Sequence, residues 1–137
     1  YPKGTKWCGP GNIANKPSDL GQHKKVDECC RDHDHCPGAI PPGGTRHNLT
    51  NKSIFARSPC KCDQSLHQCL RFIHNISAMK SGLWFYDALG MKCYKKDYPV
   101  ISCKKRGGWL KSKCVEYVFN TTAEQRYQWF DVPNYYP

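Results

Sequence analysis

At 137 residues the chain is sized for one domain spanning residues 1–137, and its sparse Leu, Ile and Val and mean hydropathy of −0.74 leave too little aliphatic surface for a core held by burial alone. Ten cysteines, an even number spread along the chain, supply covalent help, at roughly 2–4 kcal/mol per loop-closing bridge, and they exclude a reducing compartment. The net charge of +10 points to acidic lipid, heparin-like sugars, nucleic acid or mere solubility, and does not choose among them.

Residues 1–22 are rich in Gly, Pro, Asn and Lys and read as irregular loop. The opening at Tyr1 is what a mature product shows once a leader is removed. Within the loop, Trp7-Cys8-Gly9-Pro10-Gly11-Asn12 forms a permissive turn whose carbonyls can be aimed inward together. From Lys24 to Cys36 the spacing of Val26, Cys29, Cys30 and His33 (i, i+3, i+4, i+7) predicts one helical face, ended by Pro37-Gly38. Residues 38–59, with Pro41, Pro42, Gly43 and Gly44, are expected to form a long exposed loop.

A second helix is expected to begin near Asp63, its N-cap, and to run through Leu66, Cys69, Leu70, Ile73, Ile76 and Met79, with Gly82 as a break or bend before Leu83-Trp84-Phe85-Tyr86. Lys92 to Lys113 carries eight Lys/Arg against one Asp, and Arg106-Gly107-Gly108-Trp109 marks a turn. Alternating Val115, Tyr117 and Phe119 predict a strand, giving a hairpin across Cys103 and Cys114. The tail from Tyr127 to Val132 is apolar enough to pack back on the body. Four Asn-x-Ser/Thr sequons, at Asn48, Asn51, Asn75 and Asn120, agree with passage through the secretory pathway. No segment approaches the roughly 20 apolar residues of a membrane span.

The chemistry is concentrated in Cys29-Cys30-Arg31-Asp32-His33-Asp34-His35-Cys36. Consecutive cysteines on a helix point about 100° apart, so they bond to two different places and clamp the helix from two sides. A helix so held is a platform for reactive groups. His-Asp in a charged helix also describes an ordinary solvated face, and clustered Cys and His allow a zinc site, although cysteines in an oxidising compartment are taken up by bridges. The glycine loop shifts the balance toward calcium, which takes hard oxygen ligands, backbone carbonyls and carboxylates among them.

Trp7-Cys8-Gly9-x-Gly11-Asn12, Cys29-Cys30-Arg31-x-His33-Asp34-x-Cys36 and Cys60-x-Cys62-Asp63 resemble the group III, bee-venom-type secreted phospholipases A2. The likeness extends to Gly90-x-Lys-Cys93-Tyr94 and Tyr127-Gln-Trp-Phe-Asp, nearly the whole chain. The resemblance implies an α+β, mainly α fold: a small disulfide-rich domain with two antiparallel disulfide-linked helices, an N-terminal calcium loop and a C-terminal β-hairpin. It implies the bridges Cys8–Cys30, Cys29–Cys69, Cys36–Cys62, Cys60–Cys93 and Cys103–Cys114, one set among roughly nine hundred pairings that sequence alone does not separate.

It further implies calcium bound by the carbonyls of Trp7, Gly9 and Gly11 and the carboxylate of Asp34. His33 would deprotonate a water that attacks the sn-2 ester of a glycerophospholipid, yielding lysophospholipid and fatty acid. Calcium would polarise the ester carbonyl, with the Gly9 N–H assisting, and Asp63 would accept a hydrogen bond from the far nitrogen of His33. The family's supporting tyrosine falls, by counting back from Cys93, on Phe85, with Tyr86 one place on, so Tyr86 is the support candidate. Pro10 within the loop lacks an N–H, which carbonyl ligation does not need.

The expected partner is an anionic phospholipid surface rather than nucleic acid, met by a secreted, extracellular monomer. Trp84, Phe85, Trp109 and Leu110 are candidates for insertion at the headgroup boundary, although Trp84 and Phe85 read more readily as core. Lys104, Lys105, Arg106, Lys111 and Lys113 would be drawn to anionic lipid at about 1 kcal/mol each. The competing reading is a non-catalytic toxin or a receptor- or heparin-binding module on the same scaffold. The retention of His33, Asp34, Asp63 and all three loop positions argues for hydrolysis.

Overall fold

The computed structural model describes residues 2–135. Helix α1 (Lys24–Asp34) buries Val26, Cys29 and Cys30 on one face, as its apolar spacing requires. A two-stranded hairpin follows, β1 (Thr45–Arg46) and β2 (Leu49–Thr50). Its loop residues His47 and Asn48 both take positive φ, the geometry of a tight two-residue turn. Helix α2 (Cys60–Ile73) and helix α3 (Ile76–Gly82) come next, and α3 runs into a π-helical turn at Leu83–Ala88. Strand β3 (Lys92–Asp97) pairs with the distant β6 (Arg126–Asp131). Strands β4 (Val100–Gly107) and β5 (Lys113–Phe119) form the second hairpin, a long one. Among the described residues the sheets are all antiparallel and two-stranded, so the fold is α+β.

The five disulfides are the five the resemblance implied. Cys8–Cys30 ties the glycine loop to α1. Cys29–Cys69 and Cys36–Cys62 join α1 and the residue beyond its end to α2, in reversed order along the two helices. Cys60–Cys93 hangs β3 from the start of α2. The core they surround contains Trp7, Val26, Leu66, Leu70, Ala78, Tyr86, Met91, Phe130, Val132 and Tyr135. The tail does pack back, with Phe130, Val132 and Tyr135 buried. Gly82 is required there because a Cβ would lie 2.4 Å from the Tyr135 ring.

Several expectations are corrected. The second helix begins at Cys60 behind Pro59, so Asp63 lies inside its first turn and not at its N-cap. That helix does not continue to Met79. His74 turns left-handed (φ 50°) and Asn75 caps a new helix by accepting the Ala78 N–H, a local bond that wins over continued periodicity. The break turns Ile76 outward, 68% exposed.

Loop 38–59 is not simply exposed either. Ile40 and Asn51 are fully buried, and the Asn51 Nδ2 donates to the carbonyls of Ile40 and Phe55. That nitrogen is the atom a glycan would need, so the Asn51 sequon is structural in this fold. Val115 points outward because the β4–β5 register shifts three times along the hairpin. Trp84 and Phe85 are half-buried wall residues of a cavity, and of the two Phe85 also packs against the core.

Candidate active site

The site lies where the glycine loop, α1 and the π-helical turn meet. Trp7 to Asn12, Cys30, His33, Asp34, Trp84 and Phe85 line one cavity of about 360 Å³. The Cys8–Cys30 bridge holds the loop against the face of α1 that presents His33, one turn further on. Three of the groups the sequence singled out for metal binding, Trp7, Gly9 and Gly11, thus share a wall with Asp34.

His33 has only 11% of its side chain exposed. Its Nε2 lies 2.5 Å from Asp63 Oδ1, and its Nδ1 lies 4.0 Å from Asp34 Oδ1. Since the ionised Asp63 can only accept, Nε2 carries the proton of that bond in neutral imidazole, and Nδ1 keeps a lone pair on the Asp34 side. Asp63 stands behind the imidazole and is buried. Burial raises its pKa, and the bond from His33 opposes that rise. Its second oxygen has no hydrogen-bond partner among the described residues.

Tyr86 is the support candidate from sequence, and the structure gives it an indirect place. It is buried, and its hydroxyl donates to the backbone carbonyl of Asp63, not to the carboxylate. Phe85, the alternative count, sets its ring edge-on to the His33 imidazole, with centroids 5.1 Å apart at 77°. The two neighbours therefore divide the work: one fixes the helix turn that carries Asp63, the other packs the ring of His33.

Asp34 is the group most displaced from its ordinary behaviour. Burial in the cavity wall pushes its carboxyl up to about 7, Asp27 adding to the rise and His33 opposing it. Its side chain is still 26% exposed, so water in the cavity moderates the effect.

A family model described as phospholipase A2 matches residues 1–97. The chain belongs to the phospholipase A2 family. It is 45% identical to the phospholipase A2 of Bombus pensylvanicus over 98% of both chains. It is 43% identical to that of Bombus terrestris over 96% of this chain and 97% of the other. To that of Apis mellifera it is 38% identical over 98% of this chain and 79% of the other. These relatives agree with the bee-venom-type, group III membership read from the motifs, and the chain is an enzyme of the phospholipase A2 class.

The donor chemistry suits a hard divalent ion. The described residues contain no cluster of three or more His, Cys, Asp or Glu, so a side-chain cage of zinc type is not offered. The cavity wall offers one carboxylate with a raised pKa, Asp34, beside a loop whose backbone carbonyls are oxygen donors of the kind calcium takes, with the imidazoles of His33 and His35 also on the wall.

Sequence reasoning missed Asp27. This carboxylate is fully buried and accepts N–H bonds from Lys6, Trp7 and Gly21 at 2.8–3.0 Å. It fixes the backbone where the glycine loop begins. A signal existed: Asp27 lies three residues before Cys30, hence on the side of α1 that faces Cys8. The run of charged residues around it gave no reason to single it out.

Proposed function

We propose that the chain hydrolyses the sn-2 ester of glycerophospholipids at an anionic membrane or micelle surface, releasing lysophospholipid and fatty acid. The observation that carries this reading is the two-sided placement of His33, with Nε2 on Asp63 and Nδ1 toward the cavity and Asp34. Nδ1 takes the proton of a water as that water attacks the ester carbonyl, a role worth about 10²–10⁴-fold in rate. Asp63 holds the tautomer and stabilises the imidazolium that forms.

Asp34 and the carbonyls of Trp7, Gly9 and Gly11 would hold calcium, which supplies Lewis-acid polarisation of the ester carbonyl when bound. The Gly9 N–H adds a backbone donor for the developing oxyanion. Trp84, Phe85 and Leu89 give the cavity an apolar wall for an acyl chain. The proton returns from His33 to the leaving alkoxide, which completes the cycle without a covalent intermediate.

The same reading includes an antiparallel α1–α2 pair with the loop as calcium site, one domain over residues 1–137, a secreted monomer, and no nucleic acid partner. Five disulfides support an oxidising compartment, and no helix among the described residues is long and apolar enough to cross a membrane.

The test is fatty-acid release from phosphatidylglycerol vesicles with and without a calcium chelator. Release that stops with the chelator and returns with added calcium supports the reading. Release that persists under the chelator defeats the metal assignment, and no release under either condition defeats hydrolysis.

A further inference from the structure

Lys113 opens β5, at the foot of the basic hairpin, yet it is 6% exposed, so it is not among the cations open to anionic lipid as expected from sequence, whereas Val115, Glu116 and Val118 further along that strand are exposed. Its ammonium donates to two backbone carbonyls, those of Tyr86 and Val132, the latter at 2.8 Å. Tyr86 belongs to the π-helical turn, and the last carbonyls of any helix lack an N–H partner within it. A cation at that end also meets the negative end of the helix dipole.

The consequence reaches the reacting ring in two steps. The Tyr86 hydroxyl bonds the Asp63 carbonyl, and the Asp63 carboxylate bonds His33 Nε2. The adjacent Phe85 presses edge-on against the same imidazole. We propose that Lys113 is a positioning residue for the His33–Asp63 pair, acting by pinning the Tyr86 carbonyl and with it both aromatic contacts. This rests on the reading of His33 as the base.

Burial, with Lys92 adding to it, holds the pKa of Lys113 below its ordinary value, and Asp87 and Asp131 oppose that fall. Both carboxylates are themselves anchored: Asp87 accepts the Tyr135 N–H at 2.7 Å, and Asp131 accepts the Cys114 N–H at 2.9 Å and pairs with Lys92 at 2.6 Å. A residue whose only task was to fill space would not need two carbonyls and two carboxylates arranged around it.

The test uses the full chain with micelles of a short-chain phosphatidylcholine. For Lys113→Met, which keeps the stem and removes the donor, kcat falls about tenfold or more, since small misplacements of catalytic groups cost that much. KM and calcium affinity stay within about twofold, and the downfield imidazole proton of His33 shifts in the NMR spectrum. Lys113→Gln, which keeps a donor, retains more kcat than Lys113→Met. Wild-type kcat with an unmoved His33 proton in Lys113→Met overturns the proposal, as does an equal loss in the Met and Gln variants.

If Lys113→Met does not fold, Lys113→Arg decides: it keeps charge and donors, so kcat near wild type is expected, and a tenfold loss in folded protein refutes the role. An active His33→Gln enzyme would instead sink the base assignment itself, whatever Lys113 does.

Discussion

The cavity region and the β4–β5 hairpin use opposite chemistry. Around the cavity, four disulfides join the glycine loop, α1, α2 and β3, and the ionisable groups there are carboxylates held against backbone N–H or imidazole. The hairpin has one disulfide, its tip residues Trp109 and Leu110 are 81% and 84% exposed, and its charges, the buried Lys113 at the foot apart, lie at the surface and are mostly cations. Covalent restraint is concentrated where a fraction of an ångström decides whether a proton moves. The hairpin is free to vary because a surface contact tolerates slack.

Removing bridges sharpens this contrast most. Replacing Cys8 and Cys30 by serine should cost about 3 kcal/mol of stability and abolish measurable calcium binding by titration calorimetry, since nothing else covalent holds the loop to α1. Replacing Cys103 and Cys114 should cost a similar or slightly smaller amount, because its loop is shorter, and leave calcium affinity unchanged. Equal losses of calcium affinity would break the comparison.

Next in size is Asp27→Asn. One acceptor oxygen remains, but an NH₂ now faces backbone donors in a buried place, so denaturant melts should show a loss of about 2–4 kcal/mol. Calcium affinity should fall roughly tenfold, as for other groups that orient a metal's ligands. Unchanged affinity would mean the loop holds its shape without Asp27.

A smaller effect is expected at the hairpin tip. Trp109→Ser with Leu110→Ser should weaken sedimentation with anionic vesicles several-fold, because two interfacial apolar side chains are lost. Turnover of a monomeric substrate below its micelle concentration should not change. A matched loss on monomeric substrate would tie the tip to the chemistry.

Smallest is Asp131→Asn at the hairpin foot. Burial would raise the Asp131 carboxyl, but the Cys114 N–H and Lys92 outweigh it and hold the pKa below its ordinary value of 3.8. A depressed carboxylate stabilises the folded state above its unfolded pKa, and that contribution fades as pH falls through the folded value. The wild type should therefore lose stability more steeply than the variant below about pH 4, read as melting temperature against pH.

Much of this was legible beforehand, for identifiable reasons. The Cys29-Cys30 pair forces two clamps whatever the fold, and the loop glycines and Asp34 come to one cavity because Cys8 is bonded to that helix. The helix break at Asn75 escaped because Ile73, Ile76 and Met79 keep helical spacing across it, while the deciding bond is local, from Ala78 N–H to the Asn75 side chain. Asp27 and Lys113 are hidden in the sequence for a shared reason. A charged residue in a charged run looks exposed, Lys113 among the cations expected at anionic lipid, until the partners that justify its burial, most of them 19 to 27 residues away in sequence, are brought to it.

The central claim is that His33 acts on the water and Asp34 on the metal, from the two sides of one ester. Turnover and calcium affinity measured on the same preparations of His33→Gln and Asp34→Asn test it most directly. The account predicts that His33→Gln loses turnover by about 10²-fold or more and binds calcium nearly as before, whereas Asp34→Asn loses both. Full turnover in His33→Gln, or undiminished calcium binding in Asp34→Asn, would contradict it.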